Sequence, residues 1–161
     1  MSNYINKLKG DLYEIFILNH ILDNKIYDQA WLCKDTPDDI LIKADIDIKR
    51  KYFNNIRNDF GADIIATKNN KVIFIQCKNF EDTITIDNLA GFMFLIANYN
   101  CEGVLYYSGK LSTRIEAIKT NKVKYINLQF DNTHLALLNL KIDNFYEAKK
   151  DISKEFINNL K

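Results

Sequence analysis

The sequence predicts an α/β fold in which a mixed central sheet is flanked by helices, with elements in the order α-β-(insert)-β-β-α-β-α-β. Three observations carry that prediction. Two short apolar runs, residues 64–67 and 72–77, flank the polar tetrapeptide Lys68-Asn69-Asn70-Lys71, the pattern of two strands joined by a tight turn. A segment with apolar residues at helical spacing opens the chain. After the hairpin, helical and strand patterns alternate, which requires crossover connections and a partly parallel sheet.

In chain order, residues 3–23 are helical by pattern, with Ile5, Leu8, Leu12, Ile15, Phe16 and Leu22 forming one stripe. Residues 26–33 follow as a first strand. Thr36-Pro37-Asp38-Asp39 has the marks of a helix start: Thr as cap, Pro at the first position and acids in the first turn, over residues 37–44 with Ile40 and Leu41 inward. Residues 34–60 form an insertion ahead of the hairpin. They carry the alternation Asp45-Ile46-Asp47-Ile48 and a basic cluster, Lys49, Arg50, Lys51 and Arg57, beside Tyr52 and Phe53. Such a cluster can grip phosphates and stack bases, or serve as a solvated face.

Beyond the hairpin, residues 85–100 are helical, capped by Thr85 or Asp87, with Leu89, Phe92, Met93, Ile96 and Ala97 recurring at helical spacing. Gly91 inside this helix suggests close packing. Residues 103–108 are a strand, Ser112 caps a short helix to about residue 120, and residues 123–128 are another strand. Residues 134–142 fit a strand or a short helix, with strand preferred. Residues 144–160 fit a C-terminal helix striped by Phe145, Ala148, Ile152, Phe156 and Leu160.

With 161 residues, of which 47% are hydrophobic, the chain supports one domain with a sizeable core over residues 1–161; no linker or repeat divides it. A net charge of +1 excludes a strong overall attraction for nucleic acid, so any basic surface must be local. Three widely spaced cysteines, no C-x-x-C and two histidines argue against a zinc site or a disulfide framework and for a reducing intracellular compartment. The first residues lack a signal-peptide core, and no run of about 18 apolar residues exists, so no membrane association is expected.

The chemistry concentrates in the hairpin. Alternation puts Ile73, Ile75 and Cys77 on one face of the second strand and Val72, Phe74, Gln76 and Lys78 on the other. Gln76 and Lys78 are then roughly 6–7 Å apart along the strand, and Asp63, opening the first strand, can lie beside them. Carboxylate and amide oxygens suit Mg²⁺, and a lysine beside the ion can orient water or stabilise developing charge. The alternative is structural: Lys78 paired with Asp63. Glu14 on the first helix is flanked by Gly10, Ile17, Leu18 and Ile21, an apolar setting that marks a carboxylate with a task, unless it pairs with Lys7 or Lys9 at the surface.

Asp63, twelve residues and then Gln76-Cys77-Lys78 resemble the PD-(D/E)XK nuclease superfamily. With Gln in the acidic slot of an Ile-Gln-Cys-Lys strand, and Ala62 in place of the usual Pro, the chain looks most like its Mrr-type restriction endonuclease branch. That branch includes nuclease domains attached to helicases, some in large DNA viruses. The resemblance implies a restriction-endonuclease-like αβββαβ core extended by an αβ unit. It also implies Mg²⁺ or Mn²⁺ held by Asp63, Gln76, the Cys77 carbonyl and, through water, Glu14 of the helical Gly10-Asp11-Leu12-Tyr13-Glu14. Lys78 would be the catalytic lysine. Double-stranded or branched DNA would be the substrate, leaving 5′-phosphate ends. Ser108, Lys110 and Ser112 would be phosphate contacts, or part of a plain turn. A homodimer would serve to cut two strands. A module that keeps the fold and binds DNA without cutting is the main alternative, since Gln76 lacks charge, and a protein–protein module is a further one.

Overall fold

The computed structural model describes residues 2–49, 61–118 and 120–130. Its elements are α1 (Ser2–Asp23), β1 (Gln29–Leu32), a 3-10 turn (Cys33–Asp35), α2 (Asp38–Lys43), β2 (Ile64–Lys68), β3 (Lys71–Ile84), α3 (Ile86–Asn98), β4 (Glu102–Leu111), α4 (Thr113–Ala117) and β5 (Val123–Asn127). The expected strand and helix beyond residue 130, and Arg50, Lys51 and Arg57, lie outside the described residues.

The five strands form one mixed sheet in chain order, β1-β2-β3-β4-β5. β1, β2 and β3 pair antiparallel, whereas β4 and β5 join in parallel through α3 and α4. The turn between β2 and β3 is two residues long. Asn69 (φ 52°) and Asn70 (φ 67°) both adopt the left-handed region, which asparagine tolerates best after glycine. Two such residues make a type I′ turn, whose twist matches that of the strands.

Helices cover both faces of this α/β sheet. On one, Leu12, Tyr13, Ile15, Leu18 and Ile21 of α1 pack on Ile64, Ala66, Ile73, Ile75, Cys77, Val104 and Tyr106. On the other, Leu41 of α2 and Phe92, Leu95 and Ile96 of α3 pack on Ile65, Val72 and Phe74. The periodicity of β3 divides its side chains between these two cores.

Several expectations are corrected. The buried surface of α1 is broader than one stripe and excludes Leu22, which is 40% exposed. The cause is a second cover: the Tyr13 hydroxyl donates to the Leu128 carbonyl at 2.8 Å, and the Phe16 and Phe130 rings lie 5.1 Å apart. Thr36 is fully buried and does not cap α2; its hydroxyl donates to the Leu32 carbonyl at 3.2 Å and closes the 3-10 turn, leaving Pro37 at the cap position. β1 is shorter than residues 26–33 because Lys25 is left-handed (φ 50°) and the Ile26 amide still bonds back to Ile21. β3 runs well past residue 77 because β4 offers it a parallel partner as far as Leu111. Gly91 is not a packing glycine: it is exposed, and a Cβ there would meet nothing within 4 Å.

Candidate active site

The site forms where the antiparallel half of the sheet runs out. Asp63 sits one residue before β2, and its main chain is tied on both sides. Its amide donates to the Ile75 carbonyl, and its carbonyl accepts from the Cys33 amide, both at 2.9 Å. The β2–β3 ladder ends at Ile64 opposite Ile75, so Asp63 lies just beyond the paired strands.

With no further β2 residue to serve it, the edge of β3 is served by a side chain. Asp63 Oδ2 accepts from the Cys77 amide at 2.8 Å. In a strand the N–H and C=O of one residue face the same neighbour. The Cys77 carbonyl therefore faces the notch beyond Asp63, while its thiol is buried among the α1-side core residues. Burial pushes that thiol well up, helped by the Asp63 and Glu14 carboxylates and opposed by Lys78.

Glu14 reaches the notch from the α1 face, close enough for its carboxyl to act on that of Asp63. Burial is the main influence on Asp63 and pushes its carboxyl above the usual range. The Cys77 amide, Glu14 and Lys78 oppose that shift, and Asp11 adds to it. Two ionised carboxylates this close repel, a repulsion that a cation between them would relieve. Lys9, one of the two surface partners considered for Glu14, pairs with Glu81 at 3.7 Å. Gln76 and Lys78 are half-buried and follow Val72 and Phe74 on the opposite face of β3. The Lys78 ammonium lies 5.6 Å from the centre of the Phe80 ring and still acts electrostatically on Asp63.

The structure thus brings together Glu14, Asp63 and the Cys77 main chain, with Lys78 within electrostatic reach of Asp63 and Gln76 between Cys77 and Ile75 on the opposite face of β3. The donor chemistry fits Mg²⁺ or Mn²⁺: carboxylate, amide and carbonyl oxygens, with room left to water ligands. Among the described residues, no three His, Cys, Asp or Glu side chains converge closely enough to hold a metal. A cation here would depend on Gln76, the carbonyl and water as well as on the two acids.

The other nominated residues are scattered. Lys49 is exposed, its amide bonded to Asp47 Oδ1 at 3.0 Å. Lys110 is exposed on β4. Ser108 is 4% exposed, and its hydroxyl donates to Asn79 Oδ1, tying β4 to β3. Ser112 caps α4 as expected, accepting from the Ile115 amide at 3.3 Å. Asp11, buried on α1 and acting on Asp63, was not singled out from the sequence. The signal was there: it lies three residues before Glu14, the spacing that puts two side chains on one helix face. Neither a second copy of the chain nor a helicase neighbour has support in the structure.

The family model described as restriction endonuclease, Mrr_cat, matches residues 43–129, from the end of α2 through β5. That span holds Asp63, Gln76 and Lys78, whereas Asp11 and Glu14 lie ahead of it. No curated protein and no solved structure matches the chain. Among the described residues, no helix is long and apolar enough to cross a membrane.

Proposed function

The chain belongs to the Mrr-type restriction endonuclease family, which makes its function nuclease-type and DNA its implied substrate. From that premise we propose that it is a divalent-metal-dependent endonuclease hydrolysing DNA phosphodiester bonds at the notch between β2 and β3. The observation that supports this most is the Asp63 carboxyl, held by the Cys77 amide, close to Glu14 and under the field of Lys78.

Asp63, Gln76 and the Cys77 carbonyl would hold Mg²⁺ or Mn²⁺, with Glu14 reaching it through water. When bound, such an ion lowers the pKa of a coordinated water and neutralises charge on the phosphodiester. The chain supplies the rest. A bound cation would favour the ionised forms of Asp63 and Glu14. Lys78 donates hydrogen bonds to the attacking water or a non-bridging phosphate oxygen, where charge develops. Water adds to phosphorus, the P–O3′ bond breaks, and 5′-phosphate and 3′-hydroxyl ends result.

The test is plasmid cleavage in Mg²⁺ and in Mn²⁺ by the wild type, Asp63→Asn and Lys78→Ala. Metal-dependent nicking by the wild type alone supports the proposal. No cutting by the wild type, or equal cutting by all three, overturns it. The uncharged Gln76 keeps one second reading in view, a DNA-binding module that does not cut. A gel shift that weakens with salt, with no nicking under any divalent ion, would select it.

A further inference from the structure

We propose that Phe80 is a positioning residue for Lys78: its ring holds the ammonium at the end of β3 and keeps it from folding onto Asp63 and Glu14. Its catalytic meaning rests on the nuclease reading above; its physical content does not. Lys78 and Phe80 are two residues apart in the same strand, and the ammonium lies 5.6 Å from the ring centre. A cation within about 6 Å of an aromatic centroid is attracted to the ring's negative face. A lysine carries its charge on a flexible four-carbon stem, so an unrestrained ammonium beside two carboxylates would collapse onto them and fill the notch.

The ring can hold the lysine only if it is itself held, and three features do so. The β3–β4 register is regular to Asn79 opposite Ser108 and resumes at Thr83 opposite Lys110. Residues 80–82 therefore arch over the single residue Gly109. Gly109 has φ 92°, and a Cβ there would lie 2.5 Å from the Phe80 carbonyl oxygen, so only glycine lets β4 approach the base of the arch. The Asn79–Ser108 side-chain hydrogen bond fastens the arch at its start. The Phe80 ring then packs against the cluster of Ile84, Leu89, Leu105 and Ile115. This arch is built from α3, β4 and α4 contacts rather than from the metal-ligand candidates, so it fixes Lys78 independently of any ion.

The test compares wild type, Phe80→Leu, which keeps apolar bulk but has no ring, and Phe80→Tyr, which restores one. In protein carrying ¹³C-lysine, with Lys78 assigned through Lys78→Arg, the Lys78 Cε protons should show an upfield ring-current shift. The shift should persist in Phe80→Tyr and vanish in Phe80→Leu. In Mn²⁺-dependent cleavage, Phe80→Leu should lower kcat by roughly 2- to 5-fold with KM little changed, the size expected for one exposed cation–π contact. Phe80→Tyr should recover most of the loss. An unshifted Lys78 in a wild type that cuts DNA overturns the positioning role and leaves the nuclease reading standing. A shifted Lys78 in a wild type that cuts nothing overturns the nuclease reading and the catalytic role of Phe80 together. The wild-type spectrum alone decides the contact even where Phe80→Leu does not fold.

Discussion

At the scale of single residues, Asp63 links stability to the metal. Its carboxyl titrates above the ordinary range mainly because it is buried, so the native state without metal binds its proton more tightly than the unfolded chain does. A folded-state pKa that is raised stabilises the protein below the unfolded value and gives that stability up as pH rises through the folded value. The metal-free protein should therefore melt at progressively lower temperature as pH climbs above the usual carboxylate range. Asp63→Asn should flatten that slope, and Mn²⁺ should raise the wild-type melting temperature at neutral pH but not that of Asp63→Asn. Thermal melts across pH, with EDTA or Mn²⁺, check all three outcomes; an unchanged slope in Asp63→Asn sinks the linkage. Asp11 bears on the same balance. Gln76 removes one negative charge from the hairpin, and Asp11 on α1 returns one close by, acting on Asp63 through space. Asp11→Asn should weaken Mn²⁺ binding, read by electron paramagnetic resonance of free Mn²⁺, by roughly tenfold, as loss of an outer-shell partner commonly does. These residues were unequally legible in the sequence. Asp63, Gln76 and Lys78 stand in a strand pattern whose register follows from the turn. Asp11 was hidden because α1 had been reduced to one apolar stripe. The burial of Ser108 follows from period-two alternation with the buried Val104 and Tyr106.

At the scale of elements, the β2–β3 hairpin was the most legible part of the chain, because its turn and both strand patterns agree. Asn69 and Asn70 both sit in the left-handed region. Replacing Asn70 by a β-branched residue should cost about 1–2 kcal/mol, and Asn70→Gly should cost nothing or stabilise slightly. Urea unfolding of Asn70→Val and Asn70→Gly measures the difference; equal stabilities would mean that the turn does not set the register. Since the hairpin also carries the Asp63 carboxyl to the Cys77 amide, a destabilised turn should lower metal affinity at the proposed site. Less legible were features decided by distant partners. The extent of β3 depends on β4, and the burial of Thr36 depends on a local 3-10 turn that competes with its service as a cap. The space around Gly91 depends on what lies outside α3, which periodicity cannot report.

At the scale of the whole molecule, the sheet order is simple, and the site falls where its two halves meet. β3 is shared: its early residues pair antiparallel with β2, and its later ones pair only with parallel β4 among the described residues. Where β2 stops, main-chain groups of β3 are released to a side chain, and α1 can approach the same spot from its own face. That a partly parallel sheet would follow the hairpin was legible from the alternation of elements, and the apolar neighbours of Glu14 pointed to α1 as a contributor. Charge is the remaining whole-molecule quantity. At a net +1, the chain has no overall field to hold a polyanion, so on the proposed function DNA would be met through a few local cations, Lys49 and Lys110 being the exposed candidates described. Each phosphate neutralised contributes about −0.9 to the slope of log K against log salt concentration. For binding of a duplex to Lys78→Ala, which should not cut it, the slope should be shallow, no steeper than about −4. Lys110→Ala should reduce its magnitude by about 1 and weaken all sequences alike. Fluorescence anisotropy titrations over a salt series give both numbers. A slope near −8 or beyond would mean that an extended basic surface does the binding, and the picture of a neutral scaffold presenting one small cationic site would have to be given up.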